Sequence, residues 1–240
     1  MAFCGFLLDI LPWAAGVMQL AFAERSLSRS MSHAIKMGHP CNVIYDIGAR
    51  QGYWSKYLSR YIKAKYILFE ANDAHSPELK KRGFEYFTCV LSDRVRSIEW
   101  FSDLGTGDSY YKDNTSRYEN VKSKTKTATT LDNIISENSL PLPDLIKLDT
   151  QGSELDILLG GGVALKNAKF IYMETPLVVY NTGAPSFTGY IDFMSDAGFL
   201  PYDLCEIHKI GGLLVQVDIL FIRRELFFEL HGKESIVLGL

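Results

Sequence analysis

From residue 42 onward the chain alternates short apolar runs with segments that repeat apolar residues every three or four positions. "NVIYDI", "YILFE", "EYFTCVLS", "DLIKLD" and "FIYMET" are short, rich in β-branched and aromatic residues, and bounded by turn residues, which predicts five strands. Between them "GYWSKYLSRYI", "SPELKKR", "TLDNIISEN" and "SELDILLGG" carry helical spacing. A further helix is expected in "TGYIDFMSDAG". Two more strands, "FLPYDLCEI" and "LLVQVDILFIRR", follow it.

Alternating strands and helices imply a parallel sheet covered on both faces, because right-handed crossovers place the helices there. The last two strands are separated by only a few residues around Gly211 and Gly212, and so short a link permits only an antiparallel hairpin. Five parallel strands and a closing antiparallel hairpin make a mostly parallel, seven-stranded α/β sheet. That is the Rossmann-like fold of class I methyltransferases rather than the sheet of a dinucleotide dehydrogenase.

The 240 residues, 47% of them hydrophobic, suffice for one main domain, placed at 39–240. A net charge of -3 offers no general attraction to polyphosphate, so no nucleic-acid partner is expected. Cys4, Cys41, Cys89 and Cys205 lack the spacing of a zinc site or redox pair, which points to a reducing, cytoplasmic setting. Residues 1–38 form a separate apolar segment of helical character. Asp9, Pro12 and Gln19 interrupt it and no basic residue precedes it, which argues against a membrane span or signal peptide. It is expected to cover the core or a subunit contact, with membrane-surface association as the alternative.

Candidate chemistry sits at the strand ends, where open α/β sheets bind ligands. The first strand runs into D-x-G-x-x-x-G, formed by Asp46, Gly48 and Gly52. A pyrophosphate would be repelled by that carboxylate, whereas S-adenosylmethionine carries a sulfonium and an ammonium and no phosphate. The glycines allow a tight turn and a close backbone approach. Glu70, roughly two dozen residues on, is placed to accept from ribose hydroxyls. Ser92 and Asp93, at the end of the third strand, are placed to reach an adenine edge or to cap a local turn.

"YDIGARQGYWS", "FEAN", "LSD", "TTLDNII" and "DLIKLDTQGSELDILLGG" resemble the FkbM family of S-adenosylmethionine-dependent methyltransferases. The most specific part is I-K-x-D-x-x-G-x-E-x-x-x-L-x-G, met by Ile146, Lys147, Asp149, Gly152, Glu154, Leu158 and Gly160. The resemblance implies O-methylation of a hydroxyl on a saccharide, glycolipid or related natural product. It departs from the usual family pattern at Arg50, where many members carry Asn.

Asp149 should face the same crevice as Asp46, near the transferable methyl, as a cofactor contact and first candidate for general base. Glu174 is the second, and His75 and His208 could do the same work. Glu154 is a substrate contact or simply a favourable acid at a helix start. The long polar stretch 110–127, with Tyr110 and Tyr111, is either a lid over a small-molecule or glycan acceptor or a solvated hairpin. No metal-ligand cluster stands out, though Asp149 with another acid could hold a divalent cation. The signature [N/D]-P-P-[Y/F/W] of amino methyltransferases is absent from the sequence. Two other classes stand beside the methyltransferase: a nicotinamide-dependent oxidoreductase on a similar sheet, and a non-catalytic partner-binding domain.

Overall fold

The computed structural model describes residues 26–102, 107–115 and 121–232. The expectations for residues 1–25 lie outside the described residues. Helix α1 (26–36) leads into β1 (Val43–Ile47), α2 (Tyr53–Leu58), β2 (Lys65–Glu70), α3 (Ser76–Arg82) and β3 (Glu85–Thr88). Three strands follow, β4 (Val90–Leu91), β5 (Arg96–Phe101) and β6 (Ser123–Thr129). Then come α4 (Leu131–Asn138), β7 (Leu145–Leu148), α5 (Glu154–Leu159), α6 (Gly162–Asn167) and β8 (Phe170–Pro176). The chain closes with α7 (Phe187–Asp196), β9 (Phe199–Ile210), β10 (Leu213–Arg223) and α8 (Arg224–His231).

Seven strands form one sheet in the order β3-β2-β1-β7-β8-β10-β9. The first five run parallel, and β10 is antiparallel to both β8 and β9. This is the class I methyltransferase sheet that the alternation predicts. Strand order reverses between β1 and β7, which are neighbours, so the ligand crevice opens at their carboxyl ends.

Both faces of the sheet are covered at its centre, which is why β1, β2, β7 and β8 are nearly continuous apolar runs. Tyr45 and Ile47 face one core with Phe69 and Leu148, while Ile44 faces the other with Leu68 and Leu145. Leu27, Met31 and Ala34, on one face of α1, are buried in that second core. Among the described residues no helix is long and apolar enough to cross a membrane.

The third expected strand divides at Cys89. Glu85–Thr88 stays at the edge of the main sheet, whereas Val90–Leu91 turns away to pair with β6 in a second sheet, β4-β6-β5. Strands β5 and β6 carry little apolar pattern: Ile98, Trp100 and Ala128 are their buried hydrophobic residues, set among Lys, Thr, Ser and Glu. Of the polar stretch 110–127, residues 123–127 lie in β6 and pair with β5, and residues 116–120 lie outside the described residues.

Candidate active site

A cavity of about 870 Å3 opens over the carboxyl ends of β1, β2, β7 and β8. That volume suits a cofactor and part of an acceptor. At its floor β1 and β7 bring three charged residues together. Asp46 and Lys147 are directly paired across the two strands, and Lys147 Nζ lies 3.1 Å from Asp46 Oδ1. The same Nζ is 3.4 Å from Asp149 Oδ2 and donates to the Gly48 carbonyl at 3.0 Å. Burial alone would lower the Lys147 pKa, but the two carboxylates outweigh it and hold the ammonium well above its usual value.

Asp46 is fully buried, and its other oxygen accepts from Ser55 Oγ at 2.6 Å. Its carboxylate does not line the cavity, so its charge is matched inside the fold instead of being presented to a cationic ligand. Asp149 does line the cavity. Its side chain is 43% exposed, so a charge is presented there.

Gly48, with φ 74°, is where the two strand ends touch: a Cβ would stand 1.9 Å from the Asp149 carbonyl oxygen. Gly52, with φ 69°, faces Leu68 and Leu79 and does not line the cavity. It serves the turn and the packing of α2. Between them Arg50, also left-handed at φ 49°, donates its backbone N–H to Glu70 Oε2 at 2.5 Å. Asn72 N–H donates to Glu70 Oε1 at 2.7 Å. Each carboxylate oxygen therefore keeps a lone pair for another donor. Burial pushes the Glu70 carboxyl up, and the backbone donors offset part of that rise.

Besides Asp46 and Gly52, four more of the expected site residues do not line the cavity. Because β4 leaves the main sheet, Ser92 is buried and accepts from Arg96 Nη2 at 2.9 Å, while Asp93 pairs with the same guanidinium at 3.3 Å. Glu154 points into its own loop, accepting from Thr150 N–H at 2.8 Å, Gly152 N–H at 3.0 Å and Tyr190 OH at 2.7 Å. It is buried as the organiser of the turn before α5, not as a substrate contact. Tyr111 OH donates to Asp156 Oδ2 at 2.9 Å, away from the cavity. Tyr110 OH donates to the same oxygen, but Tyr110 does line the cavity.

Glu174 borders the cavity from the end of β8. Gln151 Nε2 donates to its Oε2 at 2.6 Å, and the Gln216 amide donates to Oε1. Gln151 Nε2 also lies 3.4 Å from Asp149 Oδ1, so one amide spans both candidate bases. Burial first, then repulsion from Asp149, Asp218 and Glu154, raises the Glu174 pKa well above the ordinary carboxyl value. His75 and His208 both line the cavity: burial lowers the His75 pKa, whereas for His208 burial is outweighed by Asp218 and Glu206, which raise it.

Three features were not singled out from the sequence. Lys147 stood in the quoted signature, and a lysine in the middle of a buried strand was itself the signal. Gln151 adopts φ 57°, a strained value that turns its amide to both acids. Glu206, His208 and Asp218 converge, with one ligand atom from each lying within 4.8 Å of the others. A Glu-x-His on one face of a strand was visible. Its meeting with Asp218 was not, because that depends on a register shift between Leu214 and Gln216.

The residues present fit S-adenosylmethionine. Glu70 has free acceptor capacity, Val90, Leu91 and Ile157 give the cavity an apolar wall, and Asp149 supplies an exposed negative charge. Sheet order and strand-end crevice together define a class I methyltransferase. The chain belongs to the FkbM methyltransferase family: the family described as the methyltransferase FkbM domain matches residues 46–201. Its cofactor is S-adenosylmethionine. The 2-O-methyltransferase NoeI of Sinorhizobium fredii (strain NBRC 101917 / NGR234) is 29% identical over 154 residues, covering 56% of this chain and 63% of that protein. The match thus spans less than two thirds of the relative's length. Among solved structures, magnesium protoporphyrin IX methyltransferase from Synechocystis PCC 6803 is 9% identical with a TM-score of 0.49, over 89% of this chain and 85% of that one. Precorrin-6y C5,15-methyltransferase from Geobacter metallireducens GS-15 is 14% identical with a TM-score of 0.43, over 81% and 87%.

Proposed function

We propose that the protein methylates a hydroxyl group of a saccharide, glycolipid or related natural product. The observation that carries this reading is Glu174, a carboxylate at the cavity with a raised pKa, held by two amides and bonded to no cation among the described residues. An alcohol gains from a base that takes its proton as the new bond forms, and such a base works best when its pKa is not far below the working pH. The name of the relative, a 2-O-methyltransferase, agrees with a hydroxyl acceptor.

The bound cofactor supplies an electrophilic methyl group on a sulfonium. Glu70 would accept from its ribose hydroxyls, Val90 and Leu91 would offer an apolar wall to its base, and Asp149 would present a negative charge to its cationic end. Glu174 takes the acceptor proton on a carboxylate oxygen. Gln151 and Gln216 fix that carboxylate, so the acceptor oxygen is aligned and not left to diffuse, which supplies much of the rate. Tyr110, Tyr180 and His208 give the cavity a polar lining suited to a polyhydroxylated acceptor.

Incubation with labelled S-adenosylmethionine and a panel of hydroxylated saccharides and glycolipids tests the reading. Label retained as an alkali-stable methyl ether supports it. Label released by mild base, or found only on nitrogen, overturns it.

A further inference from the structure

We propose that Glu206, His208 and Asp218 form a binding site for one divalent first-row transition cation, such as Zn2+ or Mn2+, beside the cavity. The β9–β10 hairpin creates it. Gly211 and Gly212, with φ 56° and 85°, form the tight turn, and the register shift between Leu214 and Gln216 then sets Asp218 opposite Glu206. Asp218 is also opposite Glu174 on β8, so three acids stand in a row across three neighbouring strands. Like charges placed so are destabilising unless something balances them.

Asp218 is only 8% exposed, and its Oδ1 accepts no hydrogen bond from the described residues. Tyr172 OH donates to the other oxygen at 2.6 Å and so aims Oδ1 at the neighbouring groups. This is the outer support that a ligating carboxylate needs. His208 Nε2 lies 3.4 Å from Asp218 Oδ1 and 3.8 Å from Glu206 Oε1. Two ligands bound at roughly 2.0–2.2 Å in a tetrahedron stand about 3.4 Å apart, so small side-chain movements would complete the site. One imidazole with two carboxylates favours a transition cation over Mg2+ or Ca2+, and the two negative charges neutralise it. His208 and Gln216 line the cavity, so the ion would border it.

The test needs neither cofactor nor acceptor, so its outcome is separate from that of the proposed reaction. The full chain, stripped with a chelator, is titrated calorimetrically with ZnCl2 and, separately, MnCl2. One ion per chain is expected, weakened roughly tenfold or more in His208→Gln and in Asp218→Asn. His39→Ala, whose imidazole pairs with Glu229 elsewhere, should bind as the parent does. Because Asp218→Asn disturbs the bond from Tyr172, the partly exposed His208→Gln is the cleaner variant, and its far-ultraviolet circular dichroism should be unchanged. Visible bands of bound Co2+ should appear in the parent and be lost in His208→Gln. Failure of the parent to take up an ion, or uptake that survives both substitutions, overturns the assignment and leaves His208 as an imidazolium between two carboxylates.

Discussion

Lys147 Nζ lies 3.1 Å from Asp46 Oδ1, between residues that are direct partners on β7 and β1. The lysine side chain is 5% exposed and the aspartate is fully buried. The pair therefore sits where strand order reverses, at the base of the cavity, and leaves Asp149 as the acid that reaches the opening. Asp46 contributes to the site by fixing Lys147 and Ser55, not by touching a ligand.

Removing one partner of such a pair leaves a buried charge unmatched, which costs about 3–5 kcal/mol. Lys147→Met should lower the stability measured by urea unfolding by that amount. The double variant Asp46→Asn with Lys147→Met should recover part of the loss, because no unpaired charge remains at Asp46. A double variant as unstable as the sum of the two singles would mean that the residues are not coupled.

Glu70→Ala should weaken S-adenosylmethionine binding by about 1–3 kcal/mol, the range for hydrogen bonds to a charged acceptor. The fold should persist, although the N–H groups of Arg50 and Asn72 lose their acceptor. Calorimetry that finds parental affinity would remove Glu70 from the ribose role.

The main sheet was legible because its central strands are compact apolar runs and the Gly211–Gly212 link was too short for anything but a hairpin. Strands β5 and β6 were not legible: with Lys and Thr alternating over residues 124–127, they bury too little to show a period. For the site, strand-end position located Glu70, Asp149 and Glu174 at the cavity. It could not say which way a side chain turns. Ser92 and Asp93 were misdirected by the departure of β4, and Glu154 by a loop that folds back onto its carboxylate. Lys147 was visible in the signature, but its role was not, because sequence alone does not reveal that its strand neighbour is Asp46.

The raised pKa of Glu174 fixes the sign of a pH dependence. A group whose folded pKa exceeds its unfolded value stabilises the fold fully below the unfolded value, near 4.5, and loses that contribution as pH rises through the folded value. Glu174→Gln stays neutral throughout. The difference in thermal midpoint between variant and parent should thus shift in the variant's favour as pH is raised from 4 to 8. A difference that is flat with pH would show that Glu174 is not perturbed.

The same substitution, set beside Asp149→Asn, separates proton transfer from cofactor holding. If Glu174 takes the acceptor proton, Glu174→Gln should lower turnover at saturating cofactor by roughly a hundredfold or more, the scale of general-base loss, with little change in cofactor affinity. Asp149→Asn should behave the other way if Asp149, which sits beside Lys147, holds the cofactor's charged end as proposed: affinity should fall and turnover at saturation should change less. The parent's turnover should also rise with pH through the Glu174 pKa, and that limb should vanish in Glu174→Gln. Should Asp149→Asn abolish turnover while Glu174→Gln retains it, the base is Asp149 and Glu174 only orders Gln151 and Gln216. Should neither slow the reaction, alignment in the cavity supplies the rate without a carboxylate base.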